Sequence, residues 1–199
     1  PAMSLELLSA LILFALVSSV TPGPNNLMLM ASGVNFGFRQ TIPHMLGVSL
    51  GFVLMTILVG IGIMQLFDQF PISYQILKVV SVLYMLFLAY KIATAGRALD
   101  EQHTRSVPFT FVQAALFQWV NPKAWTMALS AITLYAPTKS WYSVLWVAFI
   151  FGLVNFPCIA CWTGLGTQLR RWLDEPKVLA RFNYGMAALL VASLYPLMV

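Results

Sequence analysis

The chain has 199 residues, of which 60% are hydrophobic and only 9% charged, and its formal net charge is +5. A soluble domain carries about 25% charged residues, so this composition excludes a water-covered globule and points to an integral membrane protein. Its two cysteines, Cys158 and Cys161, form one C-x-x-C inside an apolar run. With no second pair, the ligand count excludes a structural zinc site. No cofactor or metal is expected.

A spanning helix needs about 20 mostly apolar residues. Six such segments follow one another, at 5–34, 42–66, 73–94, 109–135, 140–166 and 178–198. Nothing alternates with period 2, which argues against a transmembrane barrel. The first segment has no Lys or Arg ahead of it and no A-x-A site, so a removable signal peptide is not expected. The reading is an all-α membrane protein, a single transmembrane domain over 1–199 with six helices.

Segment 1 contains Thr21-Pro22-Gly23-Pro24-Asn25-Asn26. Pro22 and Pro24 lack N–H groups, so the carbonyls of Ser18 and Val20 lose their helical donors. Gly23 between them permits backbone angles that other residues resist. Segment 2 opens near His44, read as interfacial. It continues with Gly47-x-x-x-Gly51, two small residues on one face that allow a close helix neighbour. Asp68 lies between segments 2 and 3. Segment 3 holds Lys78, close enough to the outer end to snorkel, and Tyr84. Segment 4 is interrupted at Gln118–Lys123, where Asn121 reads as an N-cap and Pro122 as the first helical residue. Pro122 frees the carbonyl of Gln118 in turn.

Placing Pro24 over Pro122 divides the chain into repeats of about 4–94 and 109–198, joined by a loop at 95–108. Three spans per half turn the second half upside down, a 3+3 inverted repeat with helices 1 and 4 broken. Paired broken helices in matching positions point to a transporter's binding site. The blander alternative is that the prolines only kink their helices.

Lys and Arg set the expected sidedness. The intervals after segments 1, 3 and 5 hold Arg39, Lys91, Arg97, Arg105, Arg170, Arg171, Lys177 and Arg181; the opposite side holds Lys139 alone. The basic intervals and the loop at 95–108 should be cytoplasmic and both termini periplasmic. This skew accounts for the positive charge without a nucleic-acid partner.

Lys123 sits near the centre of segment 4, at a cost of about 2.5–3.5 kcal/mol on insertion scales. The six acidic residues, Glu6, Asp68, Asp100, Glu101, Asp174 and Glu175, all lie at segment ends or in loops. A ligand carboxylate is therefore a natural partner, helped by half-helix N-termini. Asn25, Asn26, Asn121 and freed carbonyls can meet an ammonium. The constellation suits a small zwitterion. The alternative is that Lys123 bonds freed carbonyls and is purely structural.

These residues resemble the lysine-exporter (LysE/RhtB) superfamily of bacterial amino-acid exporters. The resemblance rests on T-P-G-P-N at 21–25, G-F-R at 37–39, Gly47 and Gly51, Leu77-Lys78, Tyr84-Met85, N-P-K-A at 121–124, and Trp162 with Gly166. G-F-R-Q at 37–40 and K-I-A-T at 91–94 are similar to the cysteine and O-acetylserine exporter branch. The resemblance implies a proton-driven carrier in the bacterial inner membrane, not an enzyme. The implied substrate site comprises Thr21, Pro22, Gly23, Pro24, Asn25, Asn26, Tyr84, Asn121, Pro122 and Lys123. Val82-Leu83 stand where several relatives have glycine-alanine, which narrows any cavity there. With no carboxylate inside the membrane, proton coupling falls to Lys123, Lys78, His44 or Asp68. The expected partners are the lipid bilayer, protons, a zwitterionic substrate and a second copy in a possible homodimer.

Two rival readings remain. Cys158 and Cys161 share a helix face, which allows membrane thiol/disulfide electron transfer, although an apolar setting disfavours a reactive thiolate. A passive channel needs no alternating access.

Overall fold

The computed structural model describes residues 4–95, 107–136, 138 and 140–194. Most of the expected loop at 95–108, with Arg97, Asp100, Glu101 and Arg105, lies outside them, as does Lys139. Among the described residues the chain is helical throughout and contains no strand.

Helix α1 (Leu5–Val20) begins at Ser4, whose side chain accepts from the Leu7 N–H at 3.1 Å. It stops where Pro22 withdraws the next donor. Helix α2 (Pro24–Phe36) restarts with Pro24 at its first position, and the two axes are bent by 54°. Segment 1 is thus a broken helix.

Helix α3 (Phe38–Gly60) follows after one residue, Gly37, whose φ is +83°. That left-handed angle suits glycine, and it replaces the expected polar interval with a sharp corner. Arg39 consequently lies in the first turn of α3, not in a loop. Segment 2 also ends earlier than its hydropathy indicates. Gly62, with φ +107°, turns the chain into the short α4 (Met64–Gln69), and α5 (Pro71–Thr94) follows.

Helix α6 (Phe111–Phe117) opens on a capping box: Thr110 Oγ1 accepts from the Gln113 N–H and Gln113 Oε1 from the Thr110 N–H. A 3-10 turn over Gln118–Val120 leads to Asn121, and α7 (Pro122–Tyr135) restarts on Pro122. Helix α8 (Trp141–Leu169) is longer than segment 5, and α9 (Pro176–Ala192) closes the described chain.

By length and apolarity α3, α5 and α8 can each cross a membrane, and the bent pair α1 and α2 is either a fourth, broken span or a re-entrant loop. Taken singly, α6 with 7 residues, α7 with 14 and α9 with 17 are each shorter than a full span.

Helix α8 is the central post, packed by α1, α2 and α3; α6 lies on α3, and α9 on α5. Glycines set the closest of these contacts. A Cβ on Gly166 of α8 would stand 2.1 Å from the Met30 carbonyl oxygen of α2, and one on Gly33 2.3 Å from that of Thr163. Gly47 and Gly51 of α3 bring α6 equally close: a Cβ there would meet the Phe111 oxygen at 2.4 Å or Ala115 Cα at 2.7 Å. Leu11, Phe52, Met55 and Phe151 form one core cluster, and Met28, Met85, Phe117 and Leu190 another. Outside these, Leu13, Leu50, Val79, Leu83 and Phe149 are exposed. In water such a surface would be a liability; in hydrocarbon it is the expected one.

Candidate functional site

The two proline breaks meet, and each is held by the other's residues. In segment 1 the interruption strands backbone carbonyls, and side chains take them up. Thr21 Oγ1 donates to the Ser18 carbonyl at 3.1 Å. Asn26 Nδ2 donates to the carbonyls of Ser19 at 2.9 Å and Thr21 at 2.8 Å. Trp162 Nε1, from α8, donates to the Val20 carbonyl at 2.9 Å. The cost of unpaired peptide groups in a membrane is thereby avoided without regular helix.

Segment 4 is built alike. Asn121 Oδ1 caps the Lys123 N–H at 3.1 Å, the freed Gln118 carbonyl accepts from the Asn121 N–H at 3.3 Å, and Trp125 Nε1 donates to the Trp119 carbonyl at 2.7 Å.

Two clasps cross between the breaks. Asn25 and Gln118 exchange reciprocal amide hydrogen bonds at 2.8 and 3.1 Å. Lys123 Nζ donates to the Thr21 carbonyl at 2.7 Å, to Thr21 Oγ1 at 3.1 Å and to the Pro22 carbonyl at 3.4 Å. Gly23 is what admits this lysine: a Cβ there would stand 2.6 Å from Lys123 Cδ. Neutral oxygens therefore face the ammonium, two at ordinary hydrogen-bond length and one at its limit. Among the described residues no carboxylate pairs with Lys123, so its charge is solvated but not neutralised.

Between the breaks lies a cavity of about 20 Å³, bordered by Gly23, Asn25, Asn26, Asn121, Lys123 and Asn155. That is room for about one water and too little for an amino acid. Asn26 Oδ1, fully buried, has no hydrogen-bond partner. It is an acceptor without a donor, a cost that buried polar groups rarely bear without reason.

Asn155 is a site residue that sequence reasoning missed. It is buried in α8, accepts from Ser49 Oγ at 3.0 Å and donates to Ser19 Oγ at 3.1 Å, so the polar track runs from α3 to the first break. A lone asparagine in a mostly apolar 29-residue helix was the available signal. Asn35 and Asn183, likewise missed, form a second reciprocal amide pair between α2 and α9 at 2.7 and 3.0 Å.

The other sequence candidates lie elsewhere. Tyr84 donates its hydroxyl to the Gln113 carbonyl at 2.8 Å, tying α5 to α6, and does not border the small cavity. Asp68 is exposed on α4. Lys78 is half-buried on α5 beside a different cavity. His44, read as interfacial from the sequence, is fully buried within the protein, its ring 5.1 Å from that of Phe109 and edge-on to it, and neither nitrogen has a hydrogen-bond partner. The one-residue corner at Gly37 moves the start of α3 outward and carries His44 into the bundle. Cys158 is buried, Cys161 exposed, and both are free thiols.

A family model described as LysE type translocator matches residues 16–194. A protein of Salmonella choleraesuis named cysteine/O-acetylserine efflux protein is 32% identical over 169 residues, 83% of this chain and 85% of its own. One of the same name from Escherichia coli O1:K1 is 29% identical over 191 residues, 95% of this chain and 96% of its own. No solved structure matches the chain.

Proposed function

The chain belongs to the LysE type translocator family, and from that premise we propose that it exports small amino acids or their derivatives across the bacterial inner membrane. Cysteine and O-acetylserine, named for the relatives, are the first solutes to test. The observation that carries the reading is the pair of mutually clasped helix breaks around a water-sized cavity. There an uncompensated cation, Lys123, and Asn26, whose buried Oδ1 has no hydrogen-bond partner, border the same space. A zwitterion presents the complement: a carboxylate for Lys123 and an ammonium for Asn26 Oδ1 and the carbonyls of the first break.

The proposed mechanism is alternating access by two inverted three-helix halves, with cytoplasmic basic loops and periplasmic termini. The clasps support it. Asn25 corresponds to Lys123 when Pro24 is placed over Pro122, and each reaches into the break of the opposite half. Opening exchanges the clasps for contacts to the solute, so an occupied site moves where an empty one stays shut. Proton antiport is the proposed drive. Of the coupling candidates Lys123, Lys78, Asp68 and His44, His44 is best placed, because a buried imidazole with two free nitrogens can take up a proton when the bundle opens. Lys91 faces it across Phe109, with Nζ 5.0 Å from that ring.

The test is purified protein in vesicles loaded with labelled cysteine or O-acetylserine, with and without a pH gradient. Uphill movement that collapses with an uncoupler supports a carrier. Movement only down the solute gradient, insensitive to pH, refutes antiport and favours a channel.

A further inference from the structure

A larger cavity, about 300 Å³, lies between α4, α5 and the start of α7, with Trp119, Val120 and Pro122 of the second break in its wall. Its walls are aromatic. Phe67 stands 6.1 Å from Tyr74 and 5.8 Å from Trp125 between ring centroids, and Trp125 stands 5.5 Å from Trp119. Two polar handles along the wall are engaged, Trp125 Nε1 by the Trp119 carbonyl and Ser81 Oγ by the Leu77 carbonyl at 2.6 Å, while the Tyr74 hydroxyl and Trp119 Nε1 have no hydrogen-bond partner among the described residues. Lys78 is the one charged side chain. It borders the cavity half-buried, with no hydrogen bond or ion pair among the described residues.

Charge restricts the occupant. The cavity has one cation, apolar walls and no Asp or Glu. A zwitterionic amino acid would place its ammonium beside a lysine with no carboxylate to receive it. An anion with an apolar body has no such conflict. The neighbouring surface indicates where that body comes from. Ile76, Val79, Val80 and Leu83 of α5 are exposed, and Tyr74, 51% exposed, belongs both to that surface and to the cavity wall. In a membrane this face meets acyl chains. Lys78 lies seven residues, about 10 Å of helix, from the start of α5 at Pro71, within reach of a headgroup by snorkelling.

We propose that this cavity binds an anionic phospholipid, with an acyl chain among Phe67, Trp119 and Trp125 and the phosphate against Lys78. The site stands independently of the export reading, because none of its residues borders the cavity at Lys123. A lipid seated there packs on Trp119 and Pro122 at the second break, so its occupancy bears on how that break opens.

Tryptophan fluorescence tests this. Protein in detergent micelles is titrated with phosphatidylglycerol carrying a dibrominated acyl chain, with phosphatidylcholine of the same chain, and with the free dibrominated fatty acid. The expected result is half-maximal quenching by phosphatidylglycerol at a mole fraction several-fold lower than by phosphatidylcholine. Trp119→Phe with Trp125→Phe should remove that saturable component, and Lys78→Gln should make the two lipids equal. Equal quenching in the wild type, a preference that survives Lys78→Gln, or quenching by the fatty acid alone overturns the proposal. If Lys78→Gln does not fold, wild-type competition decides: unbrominated phosphatidylglycerol must relieve the quenching and phosphatidylcholine must not.

Discussion

Lys123→Met separates a substrate contact from a structural one. The methionine keeps an unbranched chain beside Gly23 but removes the ammonium. Two contacts of ordinary length to Thr21, at 2.7 and 3.1 Å, and a marginal one to Pro22 are lost. Hydrogen bonds from a charged donor contribute about 1.5–3 kcal/mol each, whereas relieving the membrane of a charge returns about 2.5–3.5 kcal/mol. The terms largely offset, leaving a net loss of about 0–3 kcal/mol. For a chain of this size each kcal/mol lowers the midpoint by about 2–4 °C, so the variant should insert and melt within about 10 °C of the wild type. Transport should respond differently. A carboxylate contact worth about 1.5–3 kcal/mol in the rate-limiting state corresponds to roughly a 10- to 150-fold drop in rate. Initial export rates from vesicles of matched protein content, beside thermal unfolding in detergent, measure both. Wild-type export by a well-inserted Lys123→Met protein would refute the substrate role. A large fall in the midpoint with a proportional fall in export would reduce the lysine to a clasp.

Further outcomes follow from the same geometry. Asn26→Ala leaves the Ser19 carbonyl without its side-chain donor, at about 1–3 kcal/mol, while the Thr21 carbonyl keeps Lys123 Nζ, and should lower both the midpoint and the export rate; an unchanged midpoint contradicts the bonding described. Gly166→Ala forces a methyl against the Met30 backbone and should cost about 1–3 kcal/mol. Gly164→Ala, with nothing within 4 Å, serves as its control, and thermal shift compares them. Cys158→Ala with Cys161→Ala should leave export intact; loss of activity in the vesicle assay would revive thiol chemistry. His44→Leu should retain downhill export but lose gradient-driven uphill export, and uphill export at the wild-type level would exclude His44 from coupling.

Much of this protein is local chemistry and was therefore legible in the chain. Proline lacks an N–H wherever it stands, but Pro43 and Pro157 sit inside the unbroken α3 and α8, so what marks the interruptions is the local combination: Pro22-Gly23-Pro24 in one segment and Asn121 capping Pro122 in the other. The cap made by Asn121 needs only its neighbours. The apolar runs marked the helices for the same reason, although hydropathy does not register a one-residue corner such as Gly37, and so the start of α3 was misplaced. What each stranded carbonyl bonds to was not legible. Trp162 reaches Val20, Lys123 reaches Thr21, and Asn155 reaches Ser19 from positions more than 100 residues away in the chain. Such partners are decided by which helices lie side by side. Tertiary packing likewise buried His44 and closed the space between the breaks to about one water, because both depend on the approach of backbones that glycines permit and no single segment determines.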